Sequence, residues 1–205
     1  MYIIVADTSK KNAENNYLFL LTYIIILYKI DDGIEYLLSE GISIYQNSCC
    51  IFGHREICET QELKQTLYET IEMLIVKEKV SVFIFGSKSQ FNTLCHKVVT
   101  ELKEKYKYIK RVYIRAEYPE IDEQYYAYLL ENYEETYFPK KIIGATKALY
   151  VKRNYEMIDR SQFCIVYYDQ KYSPTDRRSG TRIALKYAMK CKRKIYAFPK
   201  GELIL

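Results

Sequence analysis

Glycine, hydroxyl and arginine residues recur in this sequence directly after apolar runs. The clusters are Gly53-His54-Arg55, Gly86-Ser87, Arg115 with Glu117, and Asp169 followed by Arg177-Arg178-Ser179-Gly180-Thr181. These residue types suit one chemistry, the holding of a phosphate. Glycine lets the main chain come close, serine and threonine hydroxyls are short donors, and the arginine fork matches phosphate oxygens. His54 could move a proton near neutral pH or ligate a metal. With only His54 and His96 in the chain, no metal pair is expected, and His54 reads as a hydrogen-bonding partner in a pocket.

The elements that must position these clusters follow from the pattern around them. Cys49–Phe52, Val80–Phe85, Arg111–Arg115, Phe163–Tyr168 and Lys194–Phe198 are short β-branched or aromatic runs of strand length. Between them lie stretches of helical period. Leu63, Leu67, Ile71, Leu74 and Ile75 share one face, Phe91, Leu94, Cys95, Val98, Val99 and Leu102 another, and Ile183, Ala184, Tyr187 and Ala188 a third. Residues 122–135 and 146–159 also read as helices, with Pro139 between them. Strands alternating with helices predict a five-stranded, mostly parallel, doubly wound α/β sheet of Rossmann-like type with helices on both faces. In such a sheet ligands bind beyond the carboxyl ends of the strands, where the clusters fall.

Composition agrees with a folded chain: 49% of the 205 residues are hydrophobic and 28% charged, with only 7 Gly and 4 Pro. The length suits one domain, residues 48–205, preceded by an extension over 1–47 to which the sequence assigns no role. In that extension Tyr2–Val5 could form a strand and 13–40 one or two apolar helices. The uncharged run Tyr17–Tyr28 is shorter than the ~20 residues that cross a bilayer. With Asp7 and Glu14 among the leading lysines and no cleavage pattern behind the run, a cytoplasmic protein without a membrane anchor is expected. The cysteines Cys49, Cys50, Cys58, Cys95, Cys164 and Cys191 form no C-x-x-C pair, which predicts reduced thiols and neither a metal nor another cofactor. Net charge is +5. Residues 1–48 carry three lysines against six acids, leaving 28 basic and 20 acidic residues for the remainder, a balance that favours anionic partners of any size.

The stretch Arg153-Asn154-Tyr155-Glu156-Met157, the strand Phe163-Cys164-Ile165-Val166, and Ser179-Gly180-Thr181 together resemble the Arg-x-x-x-Met, strand, Gly-Gly-x-Gly-Thr arrangement of the Lonely Guy family. More widely the chain is similar to the SLOG superfamily, which joins Lonely Guy and DprA-like Rossmannoid domains. Cys50-Ile51-Phe52-Gly53-His54-Arg55 and Phe83-Ile84-Phe85-Gly86-Ser87 resemble its small bacterial branch with a Gly-His-Arg motif. The resemblance spans about residues 48–200 and implies a nucleotide-derived ligand, often in a homo-oligomer. By position it implies phosphate at Gly180 and Thr181, Arg153 on the ribose-phosphate side, and Gly53, Arg55, Gly86 and Ser87 completing the pocket. Two departures stand out: Ala184 occupies the place of the family's glutamate, and Arg177 and Arg178 replace the first two glycines of its phosphate loop.

Binding or sensing of a nucleotide-derived ligand is therefore the leading expectation. Nucleotide N-glycosidase activity is the alternative, with Glu156 as a weak catalytic candidate beside the matched Arg153, and Glu117 or Asp159 as other acids that could stand in for the missing glutamate. Otherwise Glu156 is a helix-surface charge and Asp159 an organiser of the turn before the fourth strand. Single-stranded nucleic-acid binding is the third expectation, through Arg177, Arg178, Arg182, Lys186, Lys190, Lys192, Arg193 and Lys194. No aromatic ladder accompanies those charges in the sequence.

Overall fold

In a computed structural model of the chain, the structure describes residues 47–143, 145, 148–169, 179–200 and, as backbone, 202–204. The expected extension over 1–47 lies outside the described residues up to its last position. Seven strands form one sheet: β1 (Ser48–Gly53), β2 (Val82–Phe85), β3 (Lys110–Ile114), β4 (Glu135–Tyr137), β5 (Phe163–Tyr167), β6 (Lys194–Phe198) and β7 (Glu202–Ile204), in the order β4-β3-β2-β1-β5-β6-β7. The first six are parallel and β7 joins β6 antiparallel. The expected parallel α/β architecture is thus present, and the expected five strands become seven. The two additions are three-residue strands at the sheet edges, β4 falling partly inside the stretch that reads as a helix over 122–135.

The helices are α1 (Gln61–Val76), α2 (Gln90–Lys105), α3 (Glu123–Asn132), α4 (Leu149–Asp159) and α5 (Gly180–Lys190). Four start at side-chain caps, in which Thr60, Ser89, Asp122 and Ser179 accept a backbone N–H three residues on. The two-residue period of the strands then sorts the core into two layers. Cys49, Ile51, Phe83 and Phe85 pack under α1, α2 and α3, whereas Cys50, Phe52, Val82 and Ile84 pack under α4 and α5. Among the described residues no helix is long and apolar enough to cross a membrane.

The outer strands are tied by a largely buried ion pair. Arg111 on β3 donates from Nη2 to Oε1 of Glu134 at 2.7 Å, and its main-chain N–H donates to the same carboxylate. Burial pushes the Glu134 carboxyl up, but the Arg111 hydrogen bonds outweigh it and hold its pKa below the ordinary value. A carboxyl lowered on folding contributes stability that is complete above the unfolded glutamate range, about pH 4.3, and is lost as pH falls through the lower folded value. Glu134→Gln is therefore expected to cost about 1 kcal/mol at pH 7, given its partial exposure. The deficit relative to the wild type should shrink in urea melts at progressively lower pH below about 4. A deficit that stays constant into acid would show that the charge contributes nothing.

Candidate functional site

The chain builds outward from β1 in one direction through β2, β3 and β4, then returns to β1's other side with β5 and β6. That reversal parts the loops above β1, and a crevice opens at the carboxyl ends of the strands, where sheets of this type bind ligands. Here it is a cleft of about 1070 Å³. Its walls bring together every expected ligand residue except Arg115: Gly53, His54 and Arg55 after β1, Gly86 and Ser87 after β2, Arg153 on α4, and Ser179, Gly180 and Thr181 at the start of α5. Arg177 and Arg178 lie outside the described residues.

Two helix N-termini face this space. Ser87 and Ser89 sit where α2 begins, with Ser87 Oγ donating to Ser89 Oγ at 3.0 Å, and Ser179 caps α5. The helix dipole makes such ends favourable for an anion, although at α2 the Gln90 and Asn92 N–H groups are already taken by the Arg55 carbonyl and Ser89 Oγ. The loop after β1 is pinned to α2, since the Gln90 main-chain N–H donates to the Arg55 carbonyl and Gln90 Oε1 accepts from the Ile57 N–H. His54 pins it to the end of β5: its Nε2 lies 3.0 Å from the Asp169 main-chain nitrogen and 3.2 Å from the Asp169 carbonyl oxygen, and its ring lies 5.4 Å from that of Tyr168. Both contacts come from the one ring nitrogen, so either tautomer of His54 ties the loop after β1 to the main chain just beyond β5.

Arg153 is the centre of the site. It is only 4% exposed, yet among the described residues its guanidinium makes a single hydrogen bond, from Nε to Oδ1 of Asn154 at 3.0 Å. No carboxylate among the described residues forms an ion pair with it. Burial pulls its pKa down, to about 10, with Tyr113, Glu117 and Tyr150 pulling the other way, so it remains charged at neutral pH. A Cβ at Gly86 would come within 2.7 Å of Arg153 Cδ and 2.6 Å of Met157 Sδ, so any side chain there would force Arg153 or Met157 to shift. Gly53 is a packing glycine for a different reason, a Cβ there meeting Phe91 and Tyr167 below 3.0 Å. Gly180 has open space around it.

No family model matches the chain, and no curated protein does. Among solved structures it is similar to DNA processing protein A from Helicobacter pylori, a protein with a single-stranded DNA binding mode, at 16% identity and a TM-score of 0.44. The match covers 73% of this chain and 64% of that one, so the chain spans less than two thirds of that neighbour's length.

Two residues depart from expectation. Arg115 turns away from the cleft: its Nη1 donates to the carbonyls of Tyr118 and Pro119, and it shapes the turn after β3. Glu156 is not a surface charge, being 3% exposed, and it does not line the cleft. Its two oxygens are taken by Arg160 Nε and Lys141 Nζ, a use of the carboxylate that leaves it no access to a ligand. Asp159 accepts from the Tyr187 hydroxyl, while its carbonyl accepts from Arg193, consistent with a turn-organising role before β5. Of the acids considered, Glu117 is the one on the cleft wall, where it accepts from the Tyr150 hydroxyl at 2.9 Å. Ala184 is buried in the layer beneath α5 and offers no acid in the place of a glutamate. Sequence reasoning missed Tyr113, Tyr150, Asn154 and Lys88 on the wall. In a chain with 23 tyrosines nothing sets Tyr113 or Tyr150 apart by type.

The basic stretch at the C-terminal end divides on the structure. Arg182, Lys186 and Lys190 are exposed on α5, whereas Arg193 bonds the Asp159 carbonyl and Lys194 pairs with Glu78 at 3.4 Å. Tyr187 on that helix stacks on Tyr155 of α4, their ring centroids 3.9 Å apart.

Proposed function

We propose that the cleft binds a nucleotide or nucleotide-derived phosphate ligand and that the domain works as a binding or sensing module. The observation that carries this is Arg153, a buried cation without a carboxylate partner among the described residues, standing on the wall of a cleft that two helix N-termini also face. A cation on the wall of a cleft, largely desolvated, set over the Tyr150 ring and without a carboxylate ion pair among the described residues, favours an anionic ligand. The similarity of residues 153–181 to the Lonely Guy motifs supports the same ligand class.

N-glycosidic cleavage is the second reading, and Glu117 is the residue that favours it. It is a cleft-lining carboxylate held by a tyrosine hydroxyl, placed to assist a leaving base if the ligand is a nucleotide. The test is a thermal-shift screen of the full chain against nucleoside monophosphates, ADP-ribose, cyclic nucleotides and inorganic phosphate, with release of free base followed for every compound that binds. A true ligand at a hundred times its Kd adds about 2.7 kcal/mol to apparent stability. No shift with any phosphate compound would overturn the proposal, and a shift without base release would leave binding as the function.

A further inference from the structure

A second hollow of about 190 Å³ opens beside the cleft, between α2 and α3, and shares Ser87, Lys88 and Tyr113 with it. Its volume is below the 300–1,000 Å³ of a complete small-molecule site, so it suits one ring system and not a whole nucleotide. Its walls are aromatic. Tyr125 and Tyr128 lie nearly parallel at 15°, Tyr113 and Tyr133 pack at 5.0 Å, and Lys88 Nζ stands 5.7 Å from the Tyr125 ring.

Two polar groups on its lining are unmatched. Asn92 is 2% exposed, and while its main-chain N–H and Nδ2 both donate to Ser89 Oγ, its Oδ1 is buried without a partner. Either assignment of that amide leaves one polar atom unpaired. His96 Nε2 hydrogen-bonds the Asn132 carbonyl at 2.9 Å and so carries the proton, which leaves Nδ1 an acceptor. Desolvation lowers the His96 pKa and keeps the ring neutral. A flat ring with polar edges, stacked on tyrosine and offered to an amide and an imidazole, is a nucleobase.

We infer that the tyrosine hollow between α2 and α3 is the nucleobase subsite for a ligand whose phosphate lies in the cleft, an inference that rests on the proposed anion-binding role of that cleft. It assigns a division of labour: Arg153 and the helix ends hold the phosphate, and Tyr125, Tyr128 and Asn92 read the base.

The test is calorimetric titration of the full chain with ribose 5-phosphate and with AMP, GMP, CMP and UMP. It is repeated on Tyr125→Leu and on Tyr128→Leu, the latter at a position 58% exposed where little packing is lost. Ribose 5-phosphate is expected to bind all three proteins alike. At least one nucleotide should bind the wild type about tenfold tighter or more, the scale of base–aromatic stacking, and lose that advantage in the variants. If ribose 5-phosphate binds but no nucleotide binds tighter, or both variants keep the advantage, the subsite is overturned while the cleft reading stands. If none of the five compounds binds, the subsite is overturned, and the cleft reading falls with it when ADP-ribose, cyclic nucleotides and inorganic phosphate also fail to shift the melting point.

Discussion

Arg153→Met should raise the melting temperature of this protein and, in the same molecule, abolish most of its affinity for phosphate-bearing ligands. The two effects have one origin. In the free protein the guanidinium is buried with a single hydrogen bond among the described residues, so the fold carries a desolvation cost without a matching ion pair. Methionine keeps most of the volume, fills the space beside Met157 and needs no partner. Replacing buried ionic groups by apolar ones of similar size is often neutral or stabilising by about 1–4 kcal/mol, which for a unit of this size shifts the melting point by roughly 2–4 °C per kcal/mol. Binding moves the other way, because truncating one side of a buried charge pair costs about 2–5 kcal/mol, or roughly 30- to 4,000-fold in Kd. Parallel calorimetric melts and titrations would check both. A variant that melts earlier and binds as before would mean that Arg153 is a structural cation with no role in recognition.

Gly53→Val is expected to be the most damaging single change near the cleft, costing about 3 kcal/mol or more. A Cβ at this position would stand 2.5 Å from Phe91 Cδ1 and 2.9 Å from Tyr167 Cβ. Neither neighbour can give way readily. Phe91 is fully buried at the start of α2, and Tyr167 is held in register opposite Gly53 on β5. The strain therefore pushes α2 away from the sheet or breaks the last rung between β1 and β5. A double-mutant cycle in urea separates this from a generic glycine effect: combining Gly53→Ala with Phe91→Leu should cost less than the sum of the two single changes. Strict additivity would show that Gly53 is required for something other than its contact with Phe91.

The central strands were legible in the sequence because each is an unbroken apolar run buried on both faces, as in VFIF and FCIVY. The strand-end clusters were legible for the same reason, since a buried run marks where its loop begins. The edges were not. β4 is the tripeptide Glu135-Thr136-Tyr137, with only Thr136 buried, and it becomes a strand through pairing with β3 and the Thr136 hydroxyl's bond to the Tyr113 carbonyl. Nothing in three residues of that composition distinguishes it from the end of a helix. Side-chain direction was equally hidden. Arg115 stands one residue beyond a strand, as a ligand-binding arginine would, yet the carbonyls of the following turn capture it. Glu156 has the helical surface spacing of a solvated charge, but Arg160 one turn later and Lys141 from a separate segment draw it inward. The tyrosine hollow escaped because its residues come from β3, α2, α3 and Tyr133, and only the packing of α2 against α3 brings them together.

The pairing of β1 with β5 joins Cys50 to Cys164 across 114 positions of chain. β1 through β4 are added by successive crossovers to neighbouring strands, whereas the seam between β1 and β5 closes a loop through all of them. Such long-range closures come late, because their entropy is lost before their contacts form. The cleft straddles that seam, with Gly53 and Arg55 on the β1 side and Ser179 and Thr181 reached after β5. A partly assembled chain therefore has helix ends and glycines but no binding site. Ligand would then act on the kinetics of this protein almost wholly by slowing its unfolding and leave its refolding rate unchanged, since the contacts it needs are the last to be made and the first to be lost.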